Sequence, residues 1–516
     1  MRKMNLADSL KWSSITYPDK IALVYEGGKS TYSELNSTVN RLSNAILRMG
    51  FKKGDKLSVL LFNCKEYIEI LLSLTKIGVI PIPLNFRYIG KEIEYIINHS
   101  ESKSLILGEE FIETVKPVLP HLNIPLEKMM VVGKQIPEGM KRYENMLAQS
   151  TEKEPDTEAE PTDCFWIQYT AGTTGFPKGC IHLQETIMEC VKIELLEHGI
   201  SREDINLTSG PIFHTAPGMF VFTQLAATGT IYVMNHFKPD EALKIIESQK
   251  ITNAFMVPSM LDAIVNLPED EKMKYDLRSM RVLVSGGSPL HTNTKEGLIR
   301  LFKNAGLHEF YAGTEIGLTA NLTPKDQLRK IRCVGKPVWG QEVKILDDDG
   351  NEVPRGDIGT IYMKGLIMSE GYYKDPQATF ECRKGEWVTL DDMGRLDEEG
   401  YLYIIDRKKD MVISGGENIY PIEIEAVLLT HPKIREVAVI GVPDDKWGEV
   451  LKAIAVLKKG EEATEKEMID FCGERLSGIK KPRSVEFRSE LPRSSFGKVL
   501  KRVLREPYWK DREVKV

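Results

Sequence analysis

The sequence predicts an α/β protein of two domains, in which helices flank stacked, mostly parallel sheets. Helical periodicity alternates with short β-rich runs through the first half, as in Thr31–Leu47, Leu57–Phe62 and Glu66–Ile77. Such strand–helix alternation is typical of parallel sheets covered by helices. The length of 516 residues also exceeds what one hydrophobic core usually supports.

The first elements follow from local signals. Thr31 is a typical helix cap, and apolar residues recur at helical spacing as far as Leu47. A strand at Val79–Pro83 contains two prolines, which favours an edge strand or an extended segment. The polar, acidic stretch Gln149–Asp163 predicts an exposed connector within the first domain.

A second, smaller domain is predicted after the charged run Asp406–Asp410, which we interpret as a hinge. The predicted boundaries are residues 1–406 for the large N-terminal domain and 407–516 for a small α+β C-terminal domain. Its predicted elements are a helix at Pro421–Leu429, strands at Val437–Gly441 and Leu451–Val456, and a helix at Glu465–Leu476.

Composition excludes several classes of protein. With 42% apolar and 28% charged residues the chain is globular rather than disordered. A formal net charge of −6 gives no overall attraction to nucleic acid or an anionic membrane. The seven scattered cysteines indicate neither a disulfide framework nor a zinc site. Because no signal peptide or membrane-spanning run is evident, we expect a cytoplasmic protein.

The segment Tyr169–Gly179 carries the strongest chemical signal. It holds three glycines, three threonines and one lysine in eleven residues, after the apolar run Cys164–Tyr169 that predicts a buried strand. Glycine amides, hydroxyls and a lysine together suit a polyphosphate. The spacing is not that of a Walker P-loop, because Pro177 stands five residues after Gly172. An ordinary glycine-rich turn remains the alternative for this segment alone.

Four further segments contain side chains or glycines suited to binding or catalysis. Phe310–Glu315 offers a hydroxyl and a carboxylate on a glycine turn, an arrangement suited to Mg²⁺ and phosphate. Ser285–Leu290 offers a flat glycine surface at the end of a strand, where a base could stack. Trp387–Gly394 contains paired acids that could hold ribose hydroxyls, and Pro492–Lys498 offers a lysine near the chain end. Taken singly, the acids could form a solvated turn and the lysine could be a surface lysine.

Together and in this order, the five segments resemble the adenylate-forming superfamily of acyl-CoA synthetases, luciferases and peptide-synthetase adenylation domains. The resemblance spans about Thr31 to Lys501. It implies a small β-barrel-like subdomain in the large domain, a mobile C-terminal lid, and the following ATP- and AMP-binding residues: Thr170, Gly172, Thr173, Thr174, Gly175, Lys178, Gly286, Gly287, Ser288, Tyr311, Ala312, Gly313, Thr314, Asp392 and Arg407.

The same resemblance implies catalytic roles. Lys498 matches the family's catalytic lysine, Thr314 would meet the α-phosphate, Glu315 would bind Mg²⁺, and His214 would stand beside the acyl carboxylate. Lys409 falls at the hinge position.

Two segments depart from the family pattern. Ala171 replaces a serine in the phosphate loop, which removes one hydroxyl donor. Leu390-Asp391-Asp392 replaces Thr-Gly-Asp, so that either Asp391 or Asp392 could hold the ribose.

The implied reaction has two halves. A carboxylic acid attacks ATP to give acyl-AMP and pyrophosphate, and CoA then displaces AMP after the lid has rotated. The predicted CoA-binding residues are Ser414, Gly415, Gly416, Lys480 and Lys481, although the two lysines could equally form a solvated surface patch.

The predicted acyl pocket is apolar. Phe213, Val257 and Ala312 lack charge, and Ala312 replaces the tryptophan of acetate-restricted relatives. A medium-chain, alicyclic or aromatic acid is therefore expected. The alternatives are an enzyme that loads an acyl carrier protein and a carnitine or betaine–CoA ligase. A luciferase and a non-catalytic nucleotide-binding regulator are disfavoured, the first by the missing Ser-Lys-Leu ending and the second by the presence of Lys498. Either a monomer or a homodimer is compatible with the sequence.

Overall fold

The computed structural model describes residues 4–170, 177–415, 417–493 and 499–510. Contacts within the chain divide it into two compact units. The first contains residues 1–331, 335–342 and 363–388, and the second contains residues 332–334, 343–362 and 389–516. The predicted boundary between residues 406 and 407 stays a prediction.

The helices and strands are numbered in chain order. The α-helices are α1 (Leu6–Thr16), α2 (Tyr32–Arg48), α3 (Lys65–Lys76), α4 (Gly90–Ser100), α5 (Ile112–Val115), α6 (Tyr143–Ala148), α7 (Gln184–His198), α8 (Thr215–Ala226), α9 (Pro239–Ser248), α10 (Pro258–Val265), α11 (Glu269–Lys272), α12 (Thr292–Leu301), α13 (Pro376–Glu381), α14 (Pro421–Leu428), α15 (Glu465–Gly473) and α16 (Lys501–Trp509).

The strands are β1 (Ile21–Tyr25), β2 (Gly28–Thr31), β3 (Lys56–Leu60), β4 (Ile80–Pro83), β5 (Ser102–Gly108), β6 (Met130–Val132), β7 (Lys141–Arg142), β8 (Cys164–Thr170), β9 (Lys178–Leu183), β10 (Ile205–Thr208), β11 (Thr230–Val233), β12 (Asn253–Phe255), β13 (Val282–Gly286), β14 (Gly306–Gly313), β15 (Gly317–Leu322), β16 (Lys336–Pro337), β17 (Gln341–Leu346), β18 (Gly359–Gly365), β19 (Gly371–Tyr372), β20 (Arg383–Lys384), β21 (Trp387–Val388), β22 (Asp392–Leu396), β23 (Leu402–Arg407), β24 (Val412–Ser414), β25 (Glu417–Ile419), β26 (Ile434–Asp444), β27 (Gly448–Leu457) and β28 (Ser484–Phe487).

A nine-stranded sheet organises the first unit, in the order β16-β15-β14-β13-β12-β10-β11-β1-β2. Its central strands from β1 to β14 pair in parallel, and β2, β15 and β16 add antiparallel edges. A second sheet, β4-β3-β5-β6-β7, is parallel throughout. The α/β class predicted from strand–helix alternation is therefore confirmed.

One row of side chains explains why helices cover the large sheet. Leu207, Ala254, Leu283 and Leu307 stand opposite one another on four neighbouring strands. All four are buried in one core with apolar residues of α9, α10 and α12. Residues in register on adjacent strands point to the same face, so this row forms a continuous apolar floor for the three helices.

The capping signal at Thr31 is confirmed by α2. The Thr31 hydroxyl accepts from the Glu34 amide at 3.2 Å, and the Glu34 carboxylate accepts from the Thr31 amide at 2.8 Å. This reciprocal pair satisfies two of the amides that a helix start leaves without partners. The edge position predicted for Val79–Pro83 is also confirmed, because β4 lies at the end of its sheet.

The connector Gln149–Asp163 is mostly exposed, as predicted, but it is anchored rather than loose. The side chains of Asn40 and Asn44 on α2 donate to carbonyl groups of Glu152 and Lys153. Ala159 is fully buried. Asparagine amides on one helix face supply donors for an irregular backbone, and no local pattern in the connector itself predicts such partners.

The second unit is rich in strands. A sheet in the order β25-β24-β27-β26 carries β28 alongside β27. The predicted strands Val437–Gly441 and Leu451–Val456 are the middles of the longer β26 and β27, which pair along nearly their whole length. The predicted helices at Pro421 and Glu465 are confirmed as α14 and α15.

Candidate active site

Four neighbouring strands of the large sheet end where the predicted site segments begin. Strands β10, β12, β13 and β14 pair in parallel, so their carboxyl ends meet at one edge of the sheet. At or after these ends stand Phe213 and His214 (β10), Val257 (β12), Gly286, Gly287 and Ser288 (β13), and Tyr311, Ala312, Gly313, Thr314 and Glu315 (β14). The topology brings together segments that are far apart in the chain.

The glycine-rich loop joins two antiparallel strands of the first unit. Strand β8 ends at Thr170 and β9 begins at Lys178, and these two residues stand opposite each other in the hairpin. The predicted loop residues Gly172, Thr173, Thr174 and Gly175 lie outside the described residues, as does Ala171. The two strand ends therefore fix where the loop starts and finishes.

Lys178 has two partners that the sequence did not indicate. Its Nζ lies 3.9 Å from Oδ2 of Asp375 and 5.3 Å from the ring centre of Tyr372. A lysine ammonium over an aromatic ring is attracted by the negative face of that ring. Both partners come from the segment around β19, which pairs with β9.

Tyr372 also contacts the predicted metal ligand. Its hydroxyl donates to Oε1 of Glu315 at 2.8 Å. Burial, followed by the nearby Glu315 charge, raises the pKa of Tyr372 well above its ordinary value, which keeps the hydroxyl as a donor. The Glu315 carbonyl accepts from the Ser369 amide at 2.9 Å, so the backbone and the side chain of Glu315 are each restrained.

The donor set around Glu315 suits Mg²⁺. This ion takes oxygen ligands and is commonly held by one or two carboxylates together with substrate phosphate oxygens. Glu315 supplies a partly buried carboxylate on the turn after β14, next to the Thr314 hydroxyl. Oxygen donors of this kind fit the ion that the family resemblance implies.

A buried histidine that the sequence reading missed supports Thr314. His182 lies on β9, and its Nε2 is 2.7 Å from the Thr314 carbonyl oxygen. The indole of Trp166 donates to Nδ1 of His182 at 3.1 Å. Because an indole can only donate, Nδ1 must accept, so the proton of the neutral ring is on Nε2. Burial lowers the pKa of His182 to about 4, which favours this neutral form.

The Thr314 hydroxyl faces a second threonine. Its Oγ1 lies 3.3 Å from Oγ1 of Thr215, the first residue of α8. Thr215 directly follows His214, so this contact ties the turn after β14 to the start of α8. The predicted catalytic residues Thr314 and His214 are therefore held by neighbouring segments.

The predicted adenine surface has a tight backbone. Gly287 has a positive φ of 89°, and a Cβ at Gly286 would lie 2.5 Å from the Phe310 ring. Gly286 stands opposite Phe310 in the parallel pair of β13 and β14, next to Tyr311. Glycine is required at both positions, for conformational freedom at one and for space at the other.

A buried ion pair stabilises the loop that runs from Gly286 to Leu290. Glu309 on β14 accepts from the Leu290 amide at 3.1 Å and pairs with Lys295 of α12. Both side chains are almost fully buried. Removing one partner of such a pair leaves an uncompensated buried charge, so Lys295 keeps Glu309 in place and Glu309 anchors the Leu290 end of the loop to β14.

His214 stands at the start of α8 among aromatic residues. Its ring centre lies 4.1 Å from that of Phe213, and Phe213 in turn meets Phe86 edge to face at 5.2 Å. Burial, with a smaller effect of the Arg87 charge, lowers the pKa of His214 to about 3. The imidazole is therefore neutral at physiological pH. Val257, also predicted to line the acyl pocket, is buried at the start of α10.

Two predicted ribose contacts form a pair within the second unit. Asp392 on β22 stands opposite Arg407 on β23, and their Oδ1 and Nε atoms lie 3.4 Å apart. Asp392 is 6% exposed. Asp391, by contrast, is exposed and has a left-handed backbone with φ of 59°. The two acids therefore have different surroundings.

The remaining predicted residues of the second unit are dispersed. Lys409 belongs to a short 3-10 helix, Lys408–Asp410, and its side chain is outside the described part. Ser414 ends β24 and is followed by Gly415, where a Cβ would lie 2.6 Å from the Trp447 ring. Lys480 pairs with Glu423. The partly buried Lys481 directly follows Lys480, whereas Gly416 and Lys498 are outside the described residues.

Comparison with known proteins identifies the family. A family model described as AMP-binding enzyme matches residues 10–373, and one described as the C-terminal domain of AMP-binding enzymes matches residues 423–498. The chain belongs to the AMP-binding enzyme family, as an AMP-forming acid–CoA ligase. The resemblance predicted from the ordered motifs is confirmed.

Several relatives match along almost the whole chain. A long-chain-fatty-acid–CoA ligase, FadD13, of Mycobacterium tuberculosis is 33% identical over 483 residues, covering 93% of both proteins. A feruloyl-CoA synthase of an Amycolatopsis species is 32% identical over 498 residues, covering 95% of this chain and 96% of the relative. The crystal structure of ATP-bound MatB from Rhodopseudomonas palustris is 28% identical, with a TM-score of 0.88 and coverage of 98% and 99%.

In the part of the chain that the structure describes, every helix is too short or too polar to cross a membrane.

Proposed function

We propose that this enzyme joins a medium-chain, alicyclic or aromatic carboxylic acid to CoA in two steps at the edge of the nine-stranded sheet. The observation that carries the proposal is that the residues predicted to form the acyl pocket, the adenine surface and the magnesium site converge at the carboxyl ends of β10, β12, β13 and β14. In open α/β sheets, ligands bind outside the carboxyl ends of the strands. The first step gives acyl-AMP and pyrophosphate, and the second gives acyl-CoA and AMP.

In the proposed first step, the acid's carboxylate oxygen attacks the α-phosphorus of ATP and the bond to pyrophosphate breaks. The phosphate loop and Lys178 hold the departing pyrophosphate, and the Thr314 hydroxyl donates to the α-phosphate. When bound, Mg²⁺ neutralises charge on the phosphate oxygens, and Glu315 is the residue that would hold it. Lys498 is assigned to the charge developing in the transition state, on the strength of the family motif.

His214 suits a position beside the acyl carboxylate. As a neutral imidazole it can donate one hydrogen bond to the substrate and adds no charge to the pocket. Phe213 packs against His214, and Phe86 packs against Phe213, which adds apolar area that favours acids with a hydrophobic body. Ala312, near the end of β14, is a small residue at the position where acetate-restricted relatives have a tryptophan, which favours a larger acyl group.

The acids named for the relatives support an apolar acid as substrate, but they do not identify a particular one. One relative carries the name of a long-chain-fatty-acid ligase, another that of a feruloyl-CoA synthase and a third that of an indoleacetate–CoA ligase. All three acids named there have a large apolar portion. A carnitine or betaine acid would bring a cationic group, for which Phe213, Val257 and Ala312 offer no negative partner.

The proposed second step uses the C-terminal lid. Rotation about Lys409 would remove Lys498 from the reaction centre and present Ser414, Gly415 and Gly416 to the pantetheine arm of CoA. Lys480 and Lys481 remain candidates for the CoA phosphates, and Lys480 would have to exchange Glu423 for a phosphate. The thiolate sulfur then attacks the acyl carbon, and AMP leaves.

The ribose contact is assigned to Asp392. It is buried and lies 3.4 Å from Arg407, whereas Asp391 is exposed on a left-handed turn. A carboxylate held by a neighbouring guanidinium is pre-oriented to accept hydrogen bonds from two ribose hydroxyls.

The test is a panel of acids assayed for ATP-dependent pyrophosphate release and for CoA consumption. Straight-chain acids from two to sixteen carbons, cyclohexane carboxylate, cinnamates, benzoates, carnitine and an amino acid cover the alternatives. We expect the highest kcat/KM for an apolar acid of medium length or with a ring. Pyrophosphate release with transfer to an acyl carrier protein and none to CoA would instead support the carrier-loading alternative.

A further inference from the structure

Tyr372 lies between two charged groups of the phosphate site. It stands opposite Cys180 where β19 pairs with β9 in antiparallel fashion, and Lys178 is two residues before Cys180. Residues two apart on a strand share a face, and diagonal neighbours across an antiparallel pair are within reach of aromatic side chains. The strand register therefore delivers Tyr372 to Lys178.

The two ends of the Tyr372 side chain serve different partners. Its ring centre lies 5.3 Å from Nζ of Lys178, and its hydroxyl donates to Oε1 of Glu315 at 2.8 Å. The ring offers a negative face to the cation, and the hydroxyl offers a proton to the anion. One rigid side chain with two rotatable bonds thus restrains a flexible lysine and a carboxylate together.

We propose that Tyr372 is a positioning residue that sets the arrangement of Lys178 and Glu315 for one bound magnesium–ATP complex. The inference rests on the proposed function, because both charged groups act there on the same nucleotide phosphates. A hydrogen bond from outside the metal shell orients a ligating carboxylate, and loss of such a partner typically lowers metal affinity or activity about 10- to 100-fold.

The adjacent tyrosine provides a matched control. The hydroxyl of Tyr373 donates to Glu101 at 3.0 Å, and its ring lies near Lys56 and Lys374. Tyr373 therefore makes the same two kinds of contact, with a carboxylate and with lysines, but with residues that have no predicted role in the phosphate site.

Three variants separate the two contacts of Tyr372. Tyr372→Phe keeps the ring and removes the hydrogen bond to Glu315, Tyr372→Leu removes both contacts, and Tyr373→Phe is the control. The first readout is equilibrium binding of Mn²⁺, a spectroscopic substitute for Mg²⁺, by electron paramagnetic resonance with α,β-methylene-ATP present. The second is the KM for pyrophosphate in acid-dependent ATP–pyrophosphate exchange, and the third is the thermal unfolding midpoint.

We expect Tyr372→Phe to weaken Mn²⁺ binding about tenfold with little change in the KM for pyrophosphate. Tyr372→Leu should weaken Mn²⁺ binding to a similar degree and also raise the KM for pyrophosphate severalfold, since Lys178 loses its restraint. Tyr373→Phe should match the wild type in both. Wild-type Mn²⁺ affinity in Tyr372→Phe would overturn the proposal, as would equal losses in Tyr372→Phe and Tyr373→Phe.

A failure of the proposed function would give a different result from a failure of the Tyr372 proposal. A wild-type protein that shows no exchange with any acid of the panel would refute the proposed reaction. The Mn²⁺ measurement needs no acid and no turnover, so it tests Tyr372 in either case.

Discussion

His182 donates a hydrogen bond from Nε2 to the carbonyl oxygen of Thr314 across 2.7 Å, and so joins β9 of one sheet to the turn that follows β14 of another. The indole of Trp166 fixes the proton on that nitrogen by donating to the other one. Thr314 and Glu315 follow β14 on a turn, where backbone partners are fewer than within a sheet. A buried side chain therefore holds the turn on which the phosphate chemistry is proposed to depend.

Replacement of His182 should impair both folding stability and adenylation. His182→Leu would leave the Trp166 indole and the Thr314 carbonyl without a partner, at a cost of about 1–3 kcal/mol each. We expect a clearly lower urea midpoint and a reduced rate of ATP–pyrophosphate exchange. His182→Gln, which retains a donor and an acceptor, should restore part of both. His121→Leu, at an exposed histidine, is the control, and equal behaviour of His182→Leu and this control would refute the positioning role.

Acid should destabilise the protein partly through His182. Burial lowers the pKa of His182 to about 4 from its ordinary 6.5, so the unfolded chain takes up a proton there at higher pH than the folded chain. Stability from this group is complete above about pH 6.5 and is lost as the pH falls towards 4. At about 1.4 kcal/mol per pH unit between 6.5 and 4, the loss amounts to at most about 3.5 kcal/mol. The free energy of unfolding, measured with urea from pH 7 to pH 4.5, should therefore decline less steeply in His182→Gln than in the wild type. Parallel pH profiles of the two proteins would contradict this assignment.

The two neighbouring acids of the second unit should differ in their effect on ATP. Asp392→Asn should raise the KM for ATP about 10- to 100-fold, because charged hydrogen bonds to the ribose contribute roughly 1.5–3 kcal/mol. Asp391→Asn should change it less than about threefold, since that side chain is exposed. Steady-state kinetics with saturating acid and CoA measure both. The reverse ranking would assign the ribose to Asp391.

Lys498 should be needed in one half-reaction only. Lys498→Ala is expected to lower adenylation at least about 100-fold, as loss of a charge that stabilises the transition state commonly does. Thioester formation from preformed acyl-AMP and CoA should persist near the wild-type rate. Single-turnover assays of each step make the comparison, with Lys466→Ala, an exposed lysine of α15, as the control. Equal losses in the two steps would refute the proposed division of roles.

A proline at the hinge position, residue 409, should impair thioester formation and spare adenylation. Lys409→Pro fixes φ and restricts the preceding residue, which limits rotation of the chain at this point. We expect thioester formation to fall more than about tenfold while ATP–pyrophosphate exchange continues. Lys409→Ala should retain both activities. Overall turnover by Lys409→Pro equal to that of the wild type would rule out rotation at this residue.

Much of this enzyme follows from local sequence. The cap at Thr31, the alternation of helices and strands and the glycine-rich loop each depend on residues close together in the chain. The order of five motifs was sufficient to predict the family. The strands β26 and β27 were predicted too short because their ends, towards Asp444 and Gly448, contain polar and charged residues that pair through the backbone.

The sequence by itself determined which chemical groups are available: a loop rich in glycine and threonine with a lysine, a carboxylate on a glycine turn, paired acids and a lysine near the end of the chain. Only the tertiary structure decided which groups meet, because strand order places β13 beside β14 and strand register places Tyr372 beside Lys178. His182 and Tyr372 contact Thr314 and Glu315 across long stretches of chain. Such contacts arise from sheet pairing and packing, which no short pattern around either residue encodes.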